Sequence, residues 1–65
     1  MKRRKIIGAK VRLLCDIQNH GGVKFHKGEI GEIYSSYNGY SIQFSDNRAI
    51  TRVEKYKVAF IEEEQ

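Results

Sequence analysis

Three residues with reactive side chains lie early in the chain: Cys15, His20 and His26. A thiol near an imidazole suggests a nucleophile and its base, and a thiol with two imidazoles suggests zinc. Their spacing, however, contains none of the short ligand pairs typical of zinc sites. Cys15 also shares the alternation of Val11 and Leu13, which predicts a core position where a cysteine acts as a small apolar residue. We therefore expect no catalytic residue, no metal site and no cofactor, and interpret the chain as a binding module and not an enzyme.

The segment 25–33 contains two glycines, Gly28 and Gly31, in an arrangement that predicts a tight turn leading directly into a strand. It is not a phosphate-binding loop, because such a loop is longer and opens a helix with a Lys-Ser or Lys-Thr pair. Glu29 and Glu32 flank this turn, and we expect both carboxylates to be solvated.

Basic residues are the second candidate group. The net charge is +4, from 12 Lys and Arg against 8 Asp and Glu, and a basic surface attracts phosphates. A solvated exterior, or a basic arm that only aids solubility, remains the alternative. The candidate phosphate contacts are Lys2, Arg3, Arg4 and Lys5 in the arm and Lys10, Arg12, Arg48 and Arg52 in the body.

The tyrosines form a third group around one predicted hairpin. Tyr34 has the opposite parity to Ile33, so we expect its ring to face outward, and Tyr37 lies beside the turn. Tyr40 shares the parity of Ile42, which places its ring in the core. Exposed aromatic rings stack on bases or grip a peptide, but they also stabilise hairpins by cross-strand packing. The sequence leaves both interpretations open for Tyr34 and Tyr37.

The elements that position these residues follow a period of two, typical of half-buried strands. Asn38-Gly39 predicts a two-residue hairpin turn with positive φ at both positions, and 45–47 predicts a second turn. The predicted strands are 9–15, 30–37, 40–45, 48–53 and 57–61, with a short turn at 54–56. The predicted core is Val11, Leu13, Ile33, Ile42, Phe44 and Phe60.

Sixty-five residues make one domain, with a core that supplies only ~3–5 kcal/mol of net stability. We predict a flexible basic arm over 1–7, a five-stranded small barrel over 8–61 and an acidic tail over 62–65. The single cysteine forms no internal disulfide, which favours a reducing compartment. No apolar run approaches the ~20 residues of a membrane span, so we expect a cytoplasmic protein without membrane contact.

The order of these motifs resembles the SH3-like barrel superfold. The matching segments are 8–14, 27–33, 40–44 and 58–61, which together extend over most of residues 8–61. Similar layouts occur in KOW and Tudor-type binders of nucleic acids or peptides. They also occur in non-catalytic docking chains, one in photosystem I and another the variable chain of ferredoxin–thioredoxin reductase. The resemblance implies the barrel and leaves the partner open.

Two hypotheses follow. The first is nucleic-acid binding with weak sequence preference through the basic residues and the outward tyrosines. The second is a protein-docking subunit of a larger complex, with Val23 and Phe25 of the long 16–27 loop as apolar anchors.

Overall fold

The computed structural model describes residues 6–61. The predicted arm residues Lys2 to Lys5 and the predicted tail 62–65 lie outside this range. Residues 6–61 contain strands β1 Lys10–Leu13, β2 Ile17–Gln18, β3 Lys24–Phe25, β4 Ile30–Ser35, β5 Tyr40–Phe44, β6 Ala49–Val53 and β7 Val58–Phe60, with a 3₁₀ turn at Lys55–Lys57. The predicted all-β class is confirmed. No helix in this part of the chain is long and apolar enough to cross a membrane.

Five strands form one sheet in the order β6-β5-β4-β1-β7, and every neighbouring pair is antiparallel. Within the described range, β6 and β7 are the two sheet edges and do not pair with each other, so the sheet is not closed as the predicted barrel would be. The long loop expected after β1 instead contains a small hairpin, in which β2 pairs with β3 through Ile17 opposite Phe25.

Alternation along the strands buries one face of the sheet, and all six predicted core residues are buried there. The full buried hydrophobic set is Val11, Leu13, Phe25, Ile33, Tyr40, Ile42, Phe44, Ile50, Val53, Val58 and Phe60. Tyr40 is in the core as predicted, with its ring 5.9 Å from that of Phe60 in an edge-to-face arrangement. Ile6, assigned to the arm from sequence, packs against this core.

The prediction that Phe25 is an exposed docking anchor is wrong. Its side chain is 0% exposed and its ring centroid lies 5.0 Å from that of Phe44, so it fills the protein's own core and is not available as a docking anchor. Val23 on the same hairpin remains 40% exposed. Cys15 is also placed differently from the prediction, because β1 ends at Leu13 and the thiol residue is only half-buried outside the core.

The turn before β5 has positive φ at Asn38 (55°) and Gly39 (103°), as predicted. The connection is longer than the predicted two residues, because β4 ends at Ser35 and the β4–β5 register shifts between Ile33 and Ser35. A Cβ atom at Gly39 would lie 3.0 Å from the carbonyl oxygen of Val53. Gly39 is therefore required by both its backbone conformation and its close approach to β6.

Replacing Phe25 by Ala tests whether the hairpin is part of the core. We expect a loss of ~3–5 kcal/mol in the free energy of unfolding, comparable to the whole stability of a domain this small. Chemical denaturation followed by circular dichroism measures it. Val23→Ala on the same hairpin is the control and should change little. A Phe25→Ala protein with an unchanged midpoint would place the hairpin outside the cooperative fold.

Replacing Gly39 by Ala tests the close approach. We expect a loss of ~1–3 kcal/mol in stability from strain in the left-handed region plus contact with β6. The matched control is Gly28→Ala, since Gly28 has φ 94° but nothing within 4 Å of the added Cβ. The two variants share the conformational effect, so the difference between their thermal midpoints reports the steric effect. Equal midpoints would contradict the close approach.

Candidate nucleic-acid interface

The structure places Arg48 in a network and not on an outward basic face, which corrects the prediction for this residue. Its guanidinium pairs with both carboxylate oxygens of Glu29, and its Nε donates to Asp46 at 2.6 Å. Its Nη1 donates to the carbonyl oxygen of Lys24 at 2.8 Å. The guanidinium carbon also lies 5.0 Å from the centroid of the Phe25 ring. These contacts occupy the donors that would bind phosphate.

The network shifts the pKa of each of its members in the direction that favours the ionised form. The hydrogen bond from Arg48 holds the pKa of Glu29 below its ordinary value of 4.5, and the backbone N–H of His26 adds to this effect. The hydrogen bond to Glu29 raises the pKa of Arg48 in return. Partial desolvation raises the pKa of Asp46, but hydrogen bonds from Arg48 outweigh it, so that the pKa is lowered overall. Glu29 is therefore a structural partner and not the solvated turn charge predicted from sequence.

Three predicted site residues share the solvent-facing side of β1 and β4: Lys10, Arg12 and Tyr34. Tyr34 is 49% exposed, as its parity predicted. These strands border a shallow groove of about 510 Å³ that is lined by Lys10, Ile30, Glu32, Tyr34 and Gln43, among others. Lys10 lies directly opposite Glu32 in the β1–β4 register, so the charge on this face is mixed. This face brings the predicted residues together but does not concentrate positive charge.

A second surface gathers the most exposed aromatic rings. Tyr37 is 81% exposed in the 36–39 loop, and Tyr56 is 74% exposed in the 3₁₀ turn. Because Tyr40 pairs with Val53, this loop and the segment after β6 leave the sheet at the same end of β5 and β6. We call the surface formed by Tyr37, Arg52, Lys55 and Tyr56 the tyrosine end.

The basic residues of the tyrosine end lie at the same end of the sheet as these rings. The Cα of Arg52 would be 3.1 Å from a Cβ at Gly39, two residues after Tyr37. The ammonium of Lys55 lies 6.0 Å from the centroid of the Tyr40 ring. Lys57 approaches Tyr56 at 5.9 Å but also pairs with Glu54 at 2.9 Å, a hydrogen bond that raises the pKa of Lys57. Arg52 and Lys55 are therefore the better candidates for phosphate contact.

Sequence reasoning missed Lys55 and Tyr56, because 54–56 was treated only as a turn. The signal was present in the triplet Lys55-Tyr56-Lys57, in which basic residues flank an aromatic one on a turn that buries none of its residues. A short turn has no periodicity from which to infer burial, but an aromatic residue between two lysines at such a position is poorly suited to a core.

A cleft of about 580 Å³ lies beside the tyrosine end. One wall is the β2–β3 hairpin, through residues 17–21, and the other is edge strand β6. Arg52 and Lys57 also line the cleft. The cleft therefore joins the hairpin predicted as a docking loop to the basic residues of the tyrosine end.

The reactive residues considered first do not form a metal centre in the described range. Residues 6–61 contain no group of three or more His, Cys, Asp or Glu side chains placed to hold a metal ion. His20 and His26 are exposed and Cys15 is half-buried.

Comparison with known proteins found no matching family, curated protein or solved structure.

The pKa shift of Glu29 predicts how stability changes with pH. A carboxyl group whose pKa is lower when folded stabilises the fold while ionised, so its contribution is complete above its ordinary pKa of 4.5 and is lost as pH falls through the folded-state value. Glu29→Gln should lower the thermal midpoint at pH 7 and make it less dependent on pH below 4.5. The two proteins should converge in acid. Glu32→Gln, on the exposed side of β4, is the control. A difference from the wild type that persists undiminished in acid would contradict the role of the ionised carboxylate.

Proposed function

We propose that this chain is a non-catalytic module that binds nucleic acid with weak sequence preference. The observation that supports it is the tyrosine end, where the two most exposed rings of the described chain, Tyr37 and Tyr56, occur at the same end of the sheet as Arg52 and Lys55. Exposed rings next to cations provide both contacts that a nucleic acid needs, since bases stack on the rings and phosphates approach the cations.

We further propose that the domain is an SH3-like barrel that is open between the edge strands β6 and β7. The five-stranded order, the long connection after β1 and the turn before the last strand support this assignment. Superfolds of this kind host unrelated functions, so the nucleic-acid proposal rests on the surface and not on the fold.

The distribution of ion pairs leaves an excess of positive charge. Residues 6–61 contain eight basic and five acidic side chains. The pairs of Arg48 and Lys57 involve two of the basic residues and three of the carboxylates. Most of the remaining charged side chains are therefore basic, and such a surface attracts polyanions with an affinity that falls in salt.

The point where the chain enters the fold agrees with this arrangement. The N–H of Gly8 donates to the carbonyl oxygen of Ile33, near the end of β4 from which the 36–39 loop leaves. Gly8 therefore lies at the end of the sheet that carries Tyr37. We propose that Lys2 to Lys5, which precede it in sequence, contribute to phosphate binding.

Weak sequence preference follows from the kinds of contact available. Phosphate contacts carry no sequence information directly, and stacking accepts every base because each has an aromatic face. We propose Lys10, Arg12 and Tyr34 on the outer face as secondary contacts, because Glu32 lies among them.

Protein docking is the second candidate function. It is favoured by the cleft, whose walls are β6 and β2, because each of these strands pairs on only one side within the described range. An extended segment of a partner adds to such strand edges through its main chain. Of the two anchors expected from sequence, only Val23 is exposed.

Aromatic substitutions at the tyrosine end test the proposal. We expect Tyr37→Ala and Tyr56→Ala each to weaken binding of a fluorescein-labelled 15-mer of thymidine by ~1–3 kcal/mol, because each removes a stacking ring. Fluorescence anisotropy at two salt concentrations measures the affinity. Tyr37→Phe and Tyr56→Phe keep the ring and should bind like the wild type.

Two comparisons separate the surfaces. Tyr34→Ala should weaken binding less than Tyr37→Ala, and deletion of residues 2–5 should flatten the dependence on salt. The proposal fails if the wild-type chain binds none of three ligands at low salt: the thymidine 15-mer, a uridine 15-mer and a DNA duplex of 15 base pairs. Docking then becomes the better interpretation of the cleft.

A further inference from the structure

Arg52 has an unusual backbone conformation in edge strand β6. Its φ is 59°, in the left-handed region that long side chains rarely adopt. It lies in a bulge, because three steps from Ile50 to Val53 on β6 face two steps from Ile42 to Tyr40 on β5. Within residues 6–61, the other non-glycine residues with positive φ are Asn38 and Asn47. Asparagine tolerates this conformation and arginine is poorly suited to it.

Among residues 6–61, Arg52 has no polar side-chain partner that would offset this strain. The residue is exposed, and its guanidinium has no ion pair or hydrogen bond with another residue in the 6–61 range. Arg48, by contrast, is held by two carboxylates and a carbonyl oxygen. A strained residue with an unengaged charge at a surface cleft is typical of a ligand contact, since strain is retained where function requires the side chain.

The surroundings of Arg52 indicate which class of ligand would fit beside it. The residue lines the cleft of about 580 Å³ and adjoins the loop that carries Tyr37. This volume is within the ~300–1,000 Å³ of ordinary ligand sites, large enough to receive a base that has left its stack. The rings of Tyr37 and Tyr56 are exposed and can stack on the face of a base. In a duplex the base faces are covered by neighbouring base pairs, so this stacking requires an unpaired base.

We infer that Arg52 is the phosphate-binding residue of a site for single-stranded nucleic acid, in which Tyr37 and Tyr56 stack bases and the cleft receives a further base. This inference rests on the proposed nucleic-acid function. It adds the strandedness of the ligand and assigns the phosphate contact to one bulge residue.

The test uses Arg52→Asn, which keeps a residue that tolerates left-handed φ and removes the charge. The thermal midpoint should equal or exceed that of the wild type, because strain is relieved. Affinity for the thymidine 15-mer should fall about tenfold, and the slope of log affinity against log salt should decrease by about 0.7, the value for one phosphate contact on a single strand. Arg52→Lys, which keeps the charge, should retain most of the slope.

The matched control is Lys27→Asn, which also removes one positive charge from an exposed turn. Gly28 next to it donates to Leu13 at the far end of β1 from the tyrosine end. This variant should leave the affinity nearly unchanged. A 15-base-pair DNA duplex is the second ligand and should bind at least tenfold more weakly than the single strand, with little response to Arg52→Asn.

The outcomes are distinguishable. If the wild type binds no nucleic acid, the proposed function itself fails. If the wild type binds but Arg52→Asn keeps its affinity and slope, or Lys27→Asn loses as much, the assignment of Arg52 is overturned and the function stands. Equal binding of duplex and single strand overturns the strandedness. A lower thermal midpoint for Arg52→Asn contradicts the strain argument.

Discussion

The guanidinium of Arg48 joins its own turn to two segments that lie 24 and 19 residues earlier in the chain. It stays charged and offers its donors in one plane, so one side chain reaches the β2–β3 hairpin through Lys24, the start of β4 through Glu29 and its own turn through Asp46. The plane also lies against the rings of Phe25 and Phe44. Each strand of the hairpin is only two residues long. The position of the hairpin therefore depends on its hydrogen bond with Arg48 and on the burial of Phe25. The cleft exists because the hairpin is held there.

The different roles of the two arginines follow from this arrangement. Arg48 is surrounded by carboxylates and contributes to the fold, whereas Arg52 lies on the edge strand and faces a cleft. Both residues received the same prediction from the sequence, because each is basic and each flanks the same predicted strand. Their environments differ because the turn at 45–47 directs Arg48 back towards Glu29, while the bulge exposes Arg52.

Much of the sheet was predictable because one of its faces is buried. Alternation placed Val11, Leu13, Ile33 and Phe44 in the core, and the Asn-Gly pair indicated the positive φ of the turn before β5. The β2–β3 hairpin was not found, because strands of two residues leave no period to detect. Phe25 then read as a loop residue, although its burial follows once it pairs with Ile17.

The candidate site was less predictable than the sheet. Tyr34 and Tyr37 were correctly expected to be exposed, but exposure alone did not identify which surface gathers positive charge. Lys55 and Tyr56 are at the same end of the sheet as Tyr37 only because Tyr40 pairs with Val53, and this pairing is between residues distant in sequence. The left-handed conformation of Arg52 could not be predicted from the residue type, because arginine, unlike glycine or asparagine, has no preference for positive φ.

The position of β1 between β4 and β7 has a consequence for how the chain folds. The strands β4, β5 and β6 are neighbours in sequence and pair through short turns, so this meander forms from local contacts. β1 then pairs with the last strand, through Val11 opposite Phe60, which requires closure of a loop that spans almost the whole described chain. Non-local closure of this kind slows folding towards the millisecond-to-second range of small all-β domains. During synthesis on a ribosome, β1 therefore emerges first but obtains its second partner last, and Val11 and Leu13 stay incompletely covered until β7 has left the exit tunnel.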